Sequence, residues 1–256
     1  GNVDIYSIKF LEPKYKPNPP PPVVVVEKKA PVNQNYVDPT VQKLKDQKVV
    51  TILKGKVIDE INAAPLSATL VLVENETGKI ISRIFSDPDG SFELIIPHGG
   101  NYGVTTESAG YLFNSINFNL PKFADFQEID THIIMVRTEE GSKVVLRNIF
   151  FEIGNYSLKD QSISEIQKVY ELLVKNQELR VQINGHTDNS GDAAGNKILS
   201  LKRATSVVDF LISKGIDKNR VQAKGFGSER PIVSNDDETG GREINRRTEI
   251  EVVGLR

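Results

Sequence analysis

Between Leu179 and Ile212 the hydrophobic period changes, and that change constrains the fold more than any other feature of the chain. Leu179, Val181 and Ile183 alternate with polar residues, the period of two of a half-buried strand. From Asn196 onward Leu201, Ala204, Val208, Leu211 and Ile212 recur at threes and fours, which predicts a helix with that stripe toward the core. Gly215 closes the helix by supplying a left-handed C′ position, with Ile216 folding back onto Leu211. The loop between strand and helix reads Gly185-His186-Thr187-Asp188-Asn189-Ser190-Gly191, so Asp188 sits at the end of the strand, placed to meet a ligand. Asn196 and Arg203 are two helical turns apart and point within about 20° of each other, on the flank away from the stripe. One carboxylate, one amide and one guanidinium therefore converge. Arg binds a carboxylate through two parallel hydrogen bonds and Asp accepts from an ammonium, so the set fits a zwitterionic amino-acid centre. The residue types alone leave a second reading open, an internal ion pair between Asp188 and Arg203.

Composition narrows the function classes. A chain of 256 residues with 38% hydrophobic content predicts about two ordinary globular cores. No apolar run approaches the roughly twenty residues of a spanning helix. A net charge of −2 offers no basic field for nucleic acid. The absence of cysteine excludes disulfides, thiolate metal sites and a cysteine nucleophile, and suits an oxidising compartment. The chain opens on Gly1 without a signal-like segment and its only methionine is Met135, so it is expected to be part of a longer protein.

In order, residues 1–11 hold one alternating strand, with Tyr6, Ile8 and Phe10 on one face, read as the end of a preceding domain. Residues 12–48 read as a proline-rich linker: Glu12 to Pro22 contains six prolines, which favours stiff polyproline II. Val23–Val26 is a β-prone run without an evident partner. Residues 49–138 carry seven alternating segments, at Val49–Ile58, Ala68–Val73, Ile80–Phe85, Ser91–Ile96, Asn101–Thr106, Asn114–Leu120 and Glu128–Val136, which predict an antiparallel β-sandwich. Asp87-Pro88-Asp89-Gly90 is a turn sequence rather than a calcium loop, because the other oxygen ligands are missing. His98, His132 and His186 lack a second ligand at metal spacing, so no metal or cofactor is expected. Residues 139–256 predict an α+β domain: a strand over Lys143–Phe151, a Ser162-x-x-Glu165 capping box opening a helix with Ile163, Ile166, Val169 and Leu173 inward, then the Leu179 strand, the Asn196 helix, and strands at Arg220–Gly225 and Arg247–Val253. Two helices would cover one face of a mixed sheet. Nothing pairs a nucleophile with a base, or two carboxylates in one pocket, so catalysis is not expected.

Gly185-His186-Thr187-Asp188, Gly195-Asn196, Leu199-Ser200 and Arg203-Ala204, together with Gly225-Phe226-Gly227, Pro231, Asn235, Gly241-Arg242 and Asn245-Arg246-Arg247, make the segment from Val144 to Val253 resemble the OmpA-like peptidoglycan-binding domain. The resemblance implies that Asp188 and Arg203 grip the ammonium and carboxylate at the far end of meso-diaminopimelate in the peptidoglycan stem. It assigns further binding roles to Asn196, Arg246, Thr187 and Arg242. For Arg242 and Arg247 pairing with Asp236, Asp237 or Glu243 is the alternative. Glu152 stands where the family usually has Asp after the Phe150-Phe151 pair, and Gly154 where some members carry a polar contact residue. The sandwich resembles the carboxypeptidase-regulatory-like, transthyretin-type module through Gly55-Lys56-Val57, Ser86–Phe92 and Pro97 before Tyr102. Asp4-Ile5-Tyr6 and Lys9-Phe10 resemble a propeller strand of the PD40 type. This order of segments is similar to the PorE-type lipoproteins of the type IX secretion machinery. It implies a periplasmic, outer-membrane-associated cell-wall anchor with protein partners in the envelope and a lipid anchor outside this segment. A protein-interaction scaffold with a decayed pocket is the alternative.

Overall fold

The structure is a computed structural model that describes residues 35–152, 154–237 and 240–255, all within one compact unit. The strand expected within 1–11, the proline run and Val23–Val26 lie outside the described residues. Residues 36–46, inside the stretch read as linker, form a strand and a helix. β1 (Tyr36–Val37) pairs antiparallel with β4 (Ile80–Phe85), and α1 (Pro39–Asp46) follows. Asp38 caps that helix by accepting from Thr40 N at 2.9 Å, Pro39 fits its first turn, and Val41 is buried in the sandwich core.

The seven segments predicted for the sandwich all form strands: β2 (Val50–Asp59), β3 (Thr69–Glu74), β4, β5 (Ser91–Pro97), β6 (Gly100–Glu107), β7 (Asn114–Leu120) and β8 (Gln127–Met135). They make two sheets, ordered β1-β4-β3-β6-β7 and β5-β2-β8, around Leu53, Leu70, Leu72, Leu94, Ile96 and Met135. The antiparallel expectation fails at one place, since β2 and β8 pair in parallel from Thr51 opposite Gln127 to Asp59 opposite Met135. Parallel pairing needs a long crossover, and the five intervening strands provide it. Asp87–Gly90 is the expected turn, with Gly90 at φ +80° and its N–H on Asp87 O at 2.8 Å.

The C-terminal part is a mixed sheet with two helices on one face. β10 (Leu179–His186) pairs in parallel with β11 (Val221–Gly227) and antiparallel with β12 (Thr248–Leu255), which pairs with β9 (Lys143–Leu146), giving the order β11-β10-β12-β9. β9 is shorter than predicted and ends before the Phe150-Phe151 pair. Helices α2 (Ile163–Lys175) and α3 (Ala193–Ser213) bury Ile166, Val169, Leu173, Val207, Val208 and Leu211 against Val181, Ile183, Ile250 and Val252. Gly215, at φ +100°, completes a Schellman motif: its N–H reaches Ile212 O at 2.9 Å and Ile216 N–H reaches Leu211 O at 3.1 Å.

Three local readings need correction. Leu201 and Ile212 are 45% and 38% exposed, and the buried stripe runs through Ser200, Ala204, Val207, Val208 and Leu211 instead. Here the helix rests directly on strand backbone, where only a small side chain fits. Ile163 is likewise exposed at the start of α2. The capping box does not form, because Ser162 is already in helical conformation after a short 3-10 turn and its hydroxyl bonds both N–H and C=O of Phe150.

Glu165, freed from capping, is buried between the two halves of the unit. Its carboxylate accepts from the Ser115 hydroxyl and from Asn148 Nδ2 at 3.1 Å. Asn148 Oδ1 in turn accepts from Asn75 and Asn117 of the sandwich at 3.0 and 2.9 Å. Gly103 leaves room for this, since a Cβ there would lie 3.1 Å from Asn148 Oδ1. Leu112 and Phe113, just before β7, are buried in the C-terminal core, and Lys168 of α2 pairs with Glu107 of β6 at 2.8 Å. Sandwich and α+β domain are thus joined by packing as well as by chain. Glu165→Ala strands the Ser115 and Asn148 donors and opens a void, so a loss of about 2–4 kcal/mol in chemical denaturation is expected. Burial pushes the Glu165 carboxyl above its usual range, so Glu165→Gln should retain most of the stability. Among the described residues no helix is long and apolar enough to cross a membrane.

Candidate functional site

Three glycines bring the site together. A Cβ on Gly185 would sit 2.1 Å from Ser200 O, and one on Gly225 would sit 2.4 Å from Leu201 N, so α3 lies on the backbone of β10 and β11 with no side chain between. Gly227, at φ +55°, leaves room for Lys197 N at 3.0 Å, and its own N–H is held by Ser200 Oγ at 2.8 Å. This close approach sets the first half of α3 beside the loop that follows β10.

Asp188 is buried at the head of that loop. Its Oδ1 accepts from Ser190 N at 2.8 Å and its Oδ2 from Arg246 Nη1 at 2.6 Å. Burial pushes its carboxyl up, but Arg246 and Ser190 outweigh that and hold it below the usual range. The internal partner of Asp188 is therefore Arg246, 58 residues on, and no ion pair joins Asp188 to Arg203. Arg246 is half exposed, so this contact is open to solvent on one side.

Arg203 reaches the same region from α3. Its Nε donates to Asn155 O at 3.0 Å and its guanidinium lies 5.0 Å from the centre of the Phe151 ring. Burial and the Arg246 charge push its pKa down while Asp188 pushes it up, with the net shift downward. Its two Nη groups make no hydrogen bond among the described residues. Asp188 is thus the one carboxylate here, paired with the guanidinium of Arg246, while that of Arg203 keeps its Nη groups free of hydrogen bonds among the described residues.

Asn196 serves the loop: its Nδ2 donates to Ser190 O at 2.8 Å and more weakly to Asp188 O at 3.4 Å. Thr187 is buried, with its N–H on Gly227 O at 2.9 Å and its hydroxyl on Asp188 O at 2.9 Å, so it shapes the loop as well. Arg242 is exposed on α4 (Gly241–Asn245); its carbonyl accepts from Arg246 N at 3.0 Å, and among the described residues its side chain bonds to none of these. The structure therefore gathers Asp188, Arg246, Arg203 and Asn196, buries Thr187 beneath them and leaves Arg242 outside.

The Asn245-Arg246-Arg247 run divides into three tasks. Asn245 is fully buried and fastens the preceding loop, accepting from Ile232 N at 2.9 Å and donating to Val233 O at 2.8 Å. Arg246 faces Asp188. Arg247 pairs with Glu249 at 2.6 Å, a partner two residues along the strand rather than Asp236, Asp237 or Glu243. Glu249 lies 3.4 Å from Nε2 of His186, which is buried and stacked on Phe226. Burial pushes Glu249 up, but His186 and Arg247 outweigh it and hold its pKa at about 2 against the usual 4.5. The His186 contact, at 3.4 Å, lacks hydrogen-bond geometry and acts through charge, whereas Arg247 is bonded at 2.6 Å. A depressed carboxylate stabilises the fold above its unfolded pKa and loses that contribution as pH falls through its folded one. Thermal melts should therefore decline between about pH 4.5 and 2, and Glu249→Gln should make that decline shallower.

Phe151 and Asn155 were not singled out as site residues from the sequence; the Phe150-Phe151 pair was visible only as a family marker. The OmpA family matches residues 150–246. The C-terminal domain is an OmpA-family domain. It is similar to outer membrane protein Omp38 of Acinetobacter baumannii, 38% identical over 109 residues, which cover 42% of this chain and 30% of that protein. It is similar also to outer membrane protein A of Bordetella avium, 39% identical over 117 residues, covering 45% of this chain and 60% of that protein. The chain thus spans less than two thirds of these relatives. Among solved structures, the peptidoglycan-associated lipoprotein from Burkholderia pseudomallei is 28% identical, with 41% of this chain and 87% of that chain covered and a TM-score of 0.38. The family match, over residues 150–246, leaves the sandwich outside.

Proposed function

We propose that the OmpA-family domain binds peptidoglycan noncovalently, gripping the meso-diaminopimelate of the stem peptide, and so anchors an envelope complex to the cell wall. The observation that carries this reading is the set of contacts at Asp188 and Arg203: among the described residues the Asp188 carboxylate bonds to a half-exposed Arg246 and to Ser190 N–H, and the Nη groups of Arg203 make no hydrogen bond. The ligand ammonium shares Asp188 with Arg246, and the ligand carboxylate takes the free edge of Arg203. Asn196 and Thr187 hold the loop in shape. Arg242 contributes a more distant positive charge at the rim.

The family match over residues 150–246 supports wall binding without catalysis. The names of the relatives, outer membrane proteins in each case, support a place in the periplasm beside the outer membrane. The finer reading is a PorE-type component of the type IX secretion machinery, held to the outer membrane by a lipid anchor outside this segment, with the carboxypeptidase-regulatory-like sandwich docking envelope partners. It rests on the order of segments in the sequence.

Co-sedimentation with purified sacculi tests the function. The chain should pellet with diaminopimelate-containing sacculi and release no soluble muropeptides. Pelleting that is absent would identify a scaffold with a decayed pocket, and released muropeptides would identify an enzyme.

A further inference from the structure

Arg203 lies at the edge of α3 with its long side chain held at two places by residues outside the helix. Asn155 O takes its Nε at 3.0 Å, and the ring of Phe151 lies 5.0 Å from its guanidinium carbon. Neither contact uses the Nη groups. An arginine on a surface helix otherwise samples many rotamers, and fixing it costs entropy when a ligand binds. Here the fixing is done beforehand.

The loop that supplies the carbonyl is itself pinned. Gly154 takes the left-handed conformation at φ +64°, Asn155 N–H donates to Glu152 O at 3.0 Å, and Asn155 Oδ1 accepts from Tyr156 N at 2.7 Å. Tyr156 O accepts from Ser206 Oγ on α3 at 2.8 Å, one turn beyond Arg203. Phe151 is held on the other side by packing against the domain core and by its bridge to Leu158.

We infer that Phe151, together with the Asn155 carbonyl, is the positioning device that presents the Nη edge of Arg203 to the ligand carboxylate. This rests on the pocket reading above, and makes Phe151 a residue that acts through Arg203 without touching ligand. Its signature is selectivity: losing Phe151 weakens recognition of the carboxylate and leaves recognition of the ammonium alone.

The test is a calorimetric titration of the whole chain with two soluble stem peptides, one carrying meso-diaminopimelate with its terminal carboxylate free and one with that carboxylate amidated. Phe151→Leu keeps an apolar side chain but removes the ring face. It should weaken the free-carboxylate peptide by about three- to tenfold and change the amidated peptide by less than about twofold. Phe151→Tyr keeps the ring and should restore wild-type discrimination. Arg203→Ala is the control and should abolish discrimination. Equal weakening of both peptides by Phe151→Leu, or no weakening of either, would overturn the positioning role while Arg203→Ala still abolished discrimination. Discrimination that survives Arg203→Ala would instead overturn the pocket reading, and this inference with it.

Discussion

Gly185→Ala is expected to cost about 3 kcal/mol or more and to abolish stem-peptide binding. A Cβ at this position would lie 2.1 Å from Ser200 O, a backbone atom of a helix whose same face is packed into the core through Ala204, Val207, Val208 and Leu211. Neither partner is the flexible end of a side chain. The helix must retreat by about 1 Å, and close-packed interiors do not absorb such shifts without loss. The same movement carries Arg203 away from Asp188, so affinity falls with stability. Gly195→Ala is the matched control in the same helix, since its Cβ would meet only Asp192 Oδ2 at 3.5 Å. There the substitution should be neutral or stabilise by up to about 1 kcal/mol. Denaturant melts of the two variants distinguish a close helix–strand contact from a general dislike of alanine.

Asp188→Ala and Arg203→Ala should each weaken stem-peptide binding by about ten- to a hundredfold, because each removes one charge-assisted contact of about 1.5–3 kcal/mol. Their effects on folding should be small for different reasons. Asp188→Ala releases Arg246, whose side chain is 47% exposed and finds water. Arg203→Ala removes one hydrogen bond and a ring contact at the surface. Thermal melts within a few degrees of wild type, together with the loss of affinity, separate a binding site from a structural ion pair. A large fall in melting temperature with unchanged affinity would show the reverse.

The parts of the fold written in local periodicity were legible in the sequence. Alternation located all seven strands of the predicted sandwich, and the Gly215–Ile216 cap was readable because it depends on residues next to each other. Contacts between distant residues were not. The parallel partnership of β2 and β8 joins the two ends of the sandwich, and no spacing signals it. Leu201 and Ile212 have apolar side chains at the right interval, yet the glycines beneath α3 give the inward place to Ser200 and the residues in step with it. Ser162 and Glu165 have the spacing of a capping box, but a cap requires extended backbone at its first residue, and the preceding turn is already helical. At the site, the motif identified Asp188, Arg203, Asn196 and Arg246 as a group. It did not show that Arg246 rather than Arg203 pairs with Asp188, because that depends on how α4 carries the chain back over the loop. Phe151 as a platform for Arg203 was invisible for the same reason, since the two are 52 residues apart in the chain with a whole helix between them.

In the binding mode we propose, Arg203 holds the free carboxylate of diaminopimelate while Asp188 receives its ammonium. Titrating wild type and Arg203→Ala against the free and the amidated stem peptide tests it most directly. Amidation should weaken wild type about as much as Arg203→Ala does and should add little to the variant, since both changes remove one contact. Additive losses would contradict it, because the carboxylate would then be held by some other group.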